Sequence, residues 1–308
     1  MAKGHKPVAG SRAFWPKKRA KRIHPKMGSL PEGKGLLGFA GYKAGMTQVS
    51  VVNVRKGSPR HGKEVFLPAT VLAVPPLVVA GIKAYKKTSE GLRDTGIVWA
   101  DSISKDLPRK TSTPKKTKKS LEGDEFRLVV HTKPREATGK KKPDLFELPV
   151  KGGWDEAKAF LGKELKANEI FKEGEFIDVR AVSTGKGFQG PVKRFGVTIR
   201  NRKAKKKRRH VGVMGPRGVA RILPNSVAMA GQMGFQTRTE YNKQILKFGE
   251  SLTPKGGWTH FGQLKGSYLI VSGSVPGPKK RLIMLRKGIR AKREEKLEIK
   301  HISLESQQ

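Results

Sequence analysis

The chain has 308 residues, with 66 Lys or Arg against 25 Asp or Glu and a formal net charge of +41. A compact state with that charge repels itself and calls for a polyanion: nucleic acid by default, a very acidic protein as the alternative. There is no Cys, which excludes disulfides, thiolate metal sites and cysteine nucleophiles and favours an intracellular protein.

Residues 1–31 hold nine Lys or Arg and no acid, with Pro, Gly and Ser scattered through them. This reads as an extended arm without a core of its own. The run Lys17-Lys18-Arg19-Ala20-Lys21-Arg22 also has the composition of a nuclear localisation signal. No apolar segment of a secretory signal accompanies it.

From Leu36 the character changes. A Gly-punctuated stretch, 38–47, leads into a strand at 48–54. Residues 65–74 and 78–85, rich in β-branched side chains, predict two more strands around the turn at Pro75 and Pro76. A further strand is predicted over 95–101. Short strands at close spacing suggest a barrel or sandwich. The longest apolar stretch, 71–82, is short and carries both prolines, so it cannot span a bilayer. The basic runs have too few large apolar residues for a membrane-surface helix.

Residues 102–145 read as an insertion, with two Lys-rich loops (109–119 and 133–142) around an apolar strand at 126–131. A helix is predicted over 154–165, where Ala157, Phe160, Leu161 and Leu165 fall on one face. Asp155 and Glu156 stand in its first turn, where the dipole favours them. Strands follow at 175–182, 268–273 and 281–285. A basic tail, 287–300, comes last.

Between the strands at 175–182 and 268–273 lies the most distinctive segment. Residues 183–239 contain 14 Lys or Arg, nine Gly and no acid. The cations neutralise phosphates and release counterions. A carboxylate beside a phosphate would cost repulsion, and Gly lets backbone approach backbone closely. Eight of the ten residues 200–209 are basic. Residues 184–196 mix Gly, cations and aromatics. Phe188 and Phe195 there are candidates either to stack on unpaired bases or to pack against a core. His210 reads as one more base beside Arg208 and Arg209. No P-loop occurs, the Gly185–Gly190 stretch lacks dinucleotide-binding context, and no RNA-recognition-motif consensus or His-Glu-x-x-His pair is present. An enzyme needs a general base or a metal, and this segment has no acid and only His210.

The motifs GFAGYKAGMT (38–47), TGKGFQGPVKRFG (184–196), AGQMGFQTRT (230–239) and VSGSVPGPKKRL (271–282) together resemble the universal large-subunit ribosomal protein three in its archaeal and eukaryotic form. KKKPDLFELPVKGG (140–153) resembles the archaeal branch. The resemblance covers nearly the whole chain, and several long motifs in order are a specific signal. It implies a β-rich α+β fold: a six-stranded translation-factor-type β-barrel with an α/β insertion and long basic extensions. The implied division is a basic arm at 1–35, a barrel core at 36–101, 174–198 and 240–286, an insertion at 102–173, a central extension at 199–239 and a tail at 287–308.

The implied partners are large-subunit rRNA and neighbouring large-subunit ribosomal proteins, in the cytoplasm, with no membrane, cofactor, metal, small-molecule substrate or catalytic residue. The expected rRNA-facing residues are Lys17, Lys18, Arg19, Lys21 and Arg22 of the arm, then Lys43, Lys186, Lys193 and Arg194. Arg200, Arg202, Lys203, Lys205, Lys206, Lys207, Arg208 and Arg209 form the dense run. Arg217, Arg221, Gln232, Arg238, Lys279, Lys280 and Arg281 complete the set. The central loop of the family approaches the peptidyl transferase centre, and its tip here corresponds to Met214, Gly215, Pro216, Arg217 and Gly218. Many relatives carry Trp at that tip; Arg217 takes the place here, and its planar guanidinium is suited to base stacking. Two other readings of the composition stand beside this one. A chromatin-type nucleic-acid compactor would not need the Gly-and-aromatic segment. An RNA-modifying enzyme would need a cofactor loop or a catalytic cluster.

Overall fold

The computed structural model describes residues 17–28, 31, 33, 35–54, 57–112, 120–212, 227–290, 295 and 297–305. The chain divides into two compact units. One comprises Met1–Arg22, of which 17–22 are described, and Val182–Thr237; the other comprises Ile23–Ala181 and Arg238–Gln308.

Among the described residues fifteen strands form. In chain order they are β1 (Gly35–Leu36), β2 (Gly38–Val52), β3 (Glu64–Ala73), β4 (Leu77–Thr88), β5 (Gly91–Trp99), β6 (Glu125–Thr132), β7 (Leu145–Lys151) and β8 (Glu164–Leu165). β9 (Phe176–Val182), β10 (Phe188–Gln189), β11 (Gly231–Gln232), β12 (Thr237–Glu250), β13 (Ser267–Ser272), β14 (Leu282–Lys287) and β15 (Glu298–Ile302) follow. The short helices are α1 (Pro134–Ala137), α2 (Trp154–Lys158), α3 (Ala167–Ile170) and α4 (Pro191–Phe195).

The larger unit holds two sheets. In one, strands pair in the order β14-β9-β12-β13-β3-β2-β15, and β14 pairs with β2 as well. Met284 thus faces both Arg180 of β9 and Ala40 of β2. The strands are rich in β-branched and long aliphatic residues, which suit a pleated buried surface. Ile177, Val179, Leu269, Val271, Ile283 and Leu285 are fully buried, each worth about 1.5–3 kcal/mol relative to exposure. The register of β2 shifts between Lys43 and Gly45, and Gly45 lies against Trp258: a Cβ on Gly45 would lie 2.3 Å from the indole. Trp258 is buried and donates its Nε1–H to the Leu252 carbonyl at 2.7 Å.

The second sheet runs β1-β7-β6-β4-β5, with β8 on β4. Its β4 and β5 lie at 77–99, so this sheet begins well before residue 102. β3 and β4 flank the Pro75-Pro76 turn yet join different sheets. Proline supplies no N–H to carry a ladder through the turn.

A buried polar cluster links the two sheets. The hydroxyl of Tyr42, on β2, donates to Asp144 Oδ2 at 2.8 Å and lies 2.8 Å from Thr132 Oγ1 on β6. With its one proton given to the carboxylate, Tyr42 accepts from Thr132. Thr132 Oγ1 in turn accepts from the Asp144 N–H at 3.1 Å. Burial, with Asp144 alongside, pushes the Tyr42 phenol up, so it stays a donor. Tyr42→Phe leaves Asp144 and Thr132 short of a partner and is expected to cost about 1–3 kcal/mol. Denaturant unfolding of the wild-type and variant chains measures this, and an unchanged midpoint would refute the role given to the cluster.

Three expectations from sequence are corrected. The helix predicted over 154–165 is only α2; Gly162 takes φ +75°, and Leu165 leaves the helix to face Leu77 across β8 and β4. Its apolar spacing still reports burial, with Ala157 and Leu165 in the core and Phe160 and Leu161 packed against it. The strand predicted at 48–54 begins ten residues earlier, as β2. The basic tail contains β15, which pairs with β2 through Ile299 opposite Val51.

Candidate nucleic-acid interface

The smaller unit has no Asp or Glu in its sequence. Its frame is a two-stranded ladder. Ser183 donates to Gln236 O at 2.9 Å, Lys186 to Met233 O at 2.9 Å, and Met233 to Gly187 O at 2.9 Å. β10 and β11 continue it, with Phe188 opposite Gln232. Gly234 is required where the strands close: it has φ +69°, and a Cβ would lie 2.0 Å from the Thr184 carbonyl oxygen.

Helix α4 caps the ladder. Pro191 starts it and Gly196, in the left-handed conformation, ends it. The Arg194 guanidinium donates to Gln232 O at 3.1 Å and Met229 O at 2.8 Å, tying the helix to the second strand. Burial lowers the pKa of Arg194. The Gln232 amide donates to Met233 O and Gly234 O. Lys17 is buried with its Nζ 4.0 Å from the centre of the Phe195 ring. Arg19 sits 5.1 Å over Phe235, and the Ala20 N–H donates to the Phe235 carbonyl at 2.8 Å. Such cation–ring contacts contribute about 0.5–2 kcal/mol each. They hold residues 17–20 on the hairpin.

The dense basic run is a folded turn. Arg200 N–H donates to Arg208 O at 3.1 Å, and Arg200 Nη2 to Val211 O at 2.9 Å. Asn201 Oδ1 caps the Lys203 N–H at 3.2 Å, and the 3-10 turn Arg202–Lys207 is broken at Lys205, with φ 44°. All eight cations of the run are exposed. Apart from Arg200 and Arg208, none makes a side-chain hydrogen bond or ion pair among the described residues.

The expected interface residues therefore separate. Lys18, Arg19, Lys21, Arg22, Lys186, Lys193 and the eight of the run are exposed in the acid-free unit. Lys17, Arg194 and Gln232 belong to the same unit, where they hold its frame. Met214, Gly215, Pro216, Arg217, Gly218 and Arg221 lie outside the described residues. The remaining positions belong to the other unit. There Lys43 is half-buried and donates to Val275 O at 2.6 Å and Gly277 O at 3.2 Å, and burial lowers its pKa. Arg238 and Arg281 are half-buried, with pKa values lowered by burial. Lys279 is half-buried and Lys280 exposed.

The two Phe side chains are placed differently. Phe195 packs beneath Lys17 and Arg194. Phe188 is 77% exposed, the most exposed large apolar side chain of the described residues. Phe235, a third aromatic, was not singled out from sequence. Its signal was a Gly-flanked aromatic in AGQMGFQTRT like that in TGKGFQG. Among the described residues no cluster of His, Asp and Glu is placed to hold a metal, and no helix is long and apolar enough to cross a membrane.

Comparison with known proteins is consistent across the chain. The family described as Ribosomal protein L3 matches residues 1–123 and 111–308. The large ribosomal subunit protein uL3 of Methanothermobacter thermautotrophicus is 46% identical over 336 aligned residues, covering 100% of this chain and 99% of the relative. That of Archaeoglobus fulgidus is 45% identical, covering 94% of this chain and 93% of the relative. That of Nanoarchaeum equitans is 43% identical, covering 97% of each.

Proposed function

The chain belongs to the ribosomal protein L3 family, in its archaeal type, and from that premise we propose that it binds large-subunit rRNA through its acid-free unit. It is a structural protein of the large ribosomal subunit, in the cytoplasm, and not a catalyst. The observation that carries the rRNA reading is the segregation of charge: the two acid-free stretches share one compact unit, and the cations of 200–209 stand exposed on a folded turn. Phosphates neutralise these cations and release counterions. Phe188, exposed on a hairpin between Lys186 and Gln189, is the aromatic available to stack on an unpaired base.

In this reading the central loop, with Met214–Gly218 at its tip, extends toward the peptidyl transferase centre, and Arg217 replaces the usual Trp. The protein joins the subunit during assembly and meets neighbouring large-subunit proteins there. The circuit β14-β9-β12-β13-β3-β2, returning to β14, supports a six-stranded barrel of translation-factor type. The division into arm (1–35), barrel (from 36, with 174–198 and 240–286), insertion (102–173), central extension (199–239) and tail (287–308) is proposed with one adjustment. Residues 77–101 go with the insertion, because β4 pairs with β6 on one side and with β5 on the other.

Cosedimentation of the tagged chain with large subunits through a high-salt gradient tests the proposal. Six to ten phosphate contacts alone lose roughly 10³- to 10⁵-fold in affinity between 50 and 200 mM salt. Retention is expected, because interdigitated binding adds shape-specific contacts. Complete release would refute it.

A further inference from the structure

A second cationic cluster lies in the larger unit, outside the interface residues expected from sequence. Strand alternation puts Asp178 and Arg180 of β9 on one face, and Arg286 of β14 stands opposite Asp178. Asp178 is fully buried. It accepts from Arg286 Nε at 3.2 Å and Nη2 at 3.1 Å, from the Asn242 N–H at 3.2 Å and from the Ile289 N–H at 3.4 Å. Its carboxylate is thereby fully used. Arg286 Nη1 and Arg180 Nη1 each donate to a backbone carbonyl, of Gly28 and Lys26, at 2.7 Å.

Tyr241 of β12 completes the cluster. Its ring centre lies 4.4 Å from the Arg290 guanidinium and 5.8 Å from that of Arg286, and the side chain is 41% exposed. Among the described residues neither Arg180 nor Arg290 is paired with a carboxylate. Asp178 pairs with Arg286, and its acceptor sites are taken by that guanidinium and two backbone N–H groups. Burial first, and then the adjacent Arg286, lower the pKa of Arg180, and Tyr241 acts in the opposite direction.

We propose that Arg290, held against Tyr241 with Arg180 and Arg286 behind it, forms a second RNA site that takes a backbone phosphodiester. The proposal rests on the rRNA-binding reading above and extends it beyond the acid-free unit. A guanidinium stacked on an aromatic ring keeps its planar fork directed outward and loses little freedom on pairing with two phosphate oxygens. The exposed part of the Tyr241 ring offers a surface to the adjoining ribose or base. An anion here also relieves the repulsion among the arginines.

Filter binding of the full-length chain to large-subunit rRNA across a salt series tests this. Arg290→Gln is expected to make the slope of log affinity against log salt shallower by about one unit. Arg290→Lys keeps the slope but loses affinity, since the ammonium neither stacks as a plane nor forks. Arg290 has no hydrogen bond to the core, so the unfolding midpoints of both variants should stay close to wild type, lowered at most by the loss of its one ring contact. A wild-type slope and affinity in Arg290→Gln overturns the site while leaving the acid-free unit intact, and is the outcome expected if the cluster meets an acidic protein segment instead. A wild-type chain that fails to bind rRNA overturns both readings.

Discussion

Replacing the eight basic residues of 200–209 by Gln is expected to flatten the salt dependence of rRNA binding by roughly 5 to 7 units of log–log slope. Each cation that meets a phosphate releases a fraction of a counterion, about 0.7 for single strands and 0.9 for duplex. Eight cations set the range if all of them meet phosphates. Six of the eight have no side-chain partner among the described residues, so their removal breaks no contact there. Arg200 and Arg208 each lose one exposed hydrogen bond to a backbone carbonyl, about 0.5–1.5 kcal/mol apiece, so the unfolding midpoint should fall only slightly while affinity collapses. A slope within one unit of wild type would show that the run faces solvent, and the interface would have to be sought elsewhere.

The second large effect concerns stability. Asp178→Ala should destabilise the larger unit by about 3–5 kcal/mol, because it leaves the buried Arg286 cation without its counter-ion. The carboxylate also serves the Asn242 and Ile289 N–H groups, so three segments lose an anchor together. The double variant Asp178→Leu/Arg286→Met removes both charges and is expected to recover part of the loss. It cannot recover all of it, since two backbone donors still lack an acceptor, at about 1–3 kcal/mol each. Thermal or denaturant unfolding of the single and double variants measures this. A double variant less stable than the single one would refute the account, because it would mean that Arg286 stabilises the fold without Asp178.

The strands most legible in sequence were those whose residues are buried. β3, β4, β6, β9, β13 and β14 carry runs of Val, Ile and Leu that few other local structures favour. β12 was not legible, although it is one of the longest. Its sequence, TRTEYNKQILKFGE, is half-exposed and largely polar, and a register shift between Ile245 and Lys247 breaks its alternation. β15 was hidden in the same way, as EIKHI within a basic tail. For the interface, the exposed cations were legible because an absence of acid over 57 residues is a matter of counting. That Lys17 and Arg194 support the hairpin, while Phe188 stands free of it, was not. A Lys or Phe has the same letter whether it packs or projects.

By itself the sequence determined that this chain carries a charge that calls for a polyanion, where along the chain that charge is concentrated, and which family it resembles. Charge and glycine content act locally and add along the chain, so they survive being read in one dimension. Tertiary structure alone decided the partners. Tyr42 meets Asp144 across 102 residues, and Asp178 meets Arg286 across 108. It also decided that the two acid-free stretches, at 17–22 and 182–237, make one body. These pairings depend on which strand lies beside which, and burial makes them strong only after the chain has closed around them.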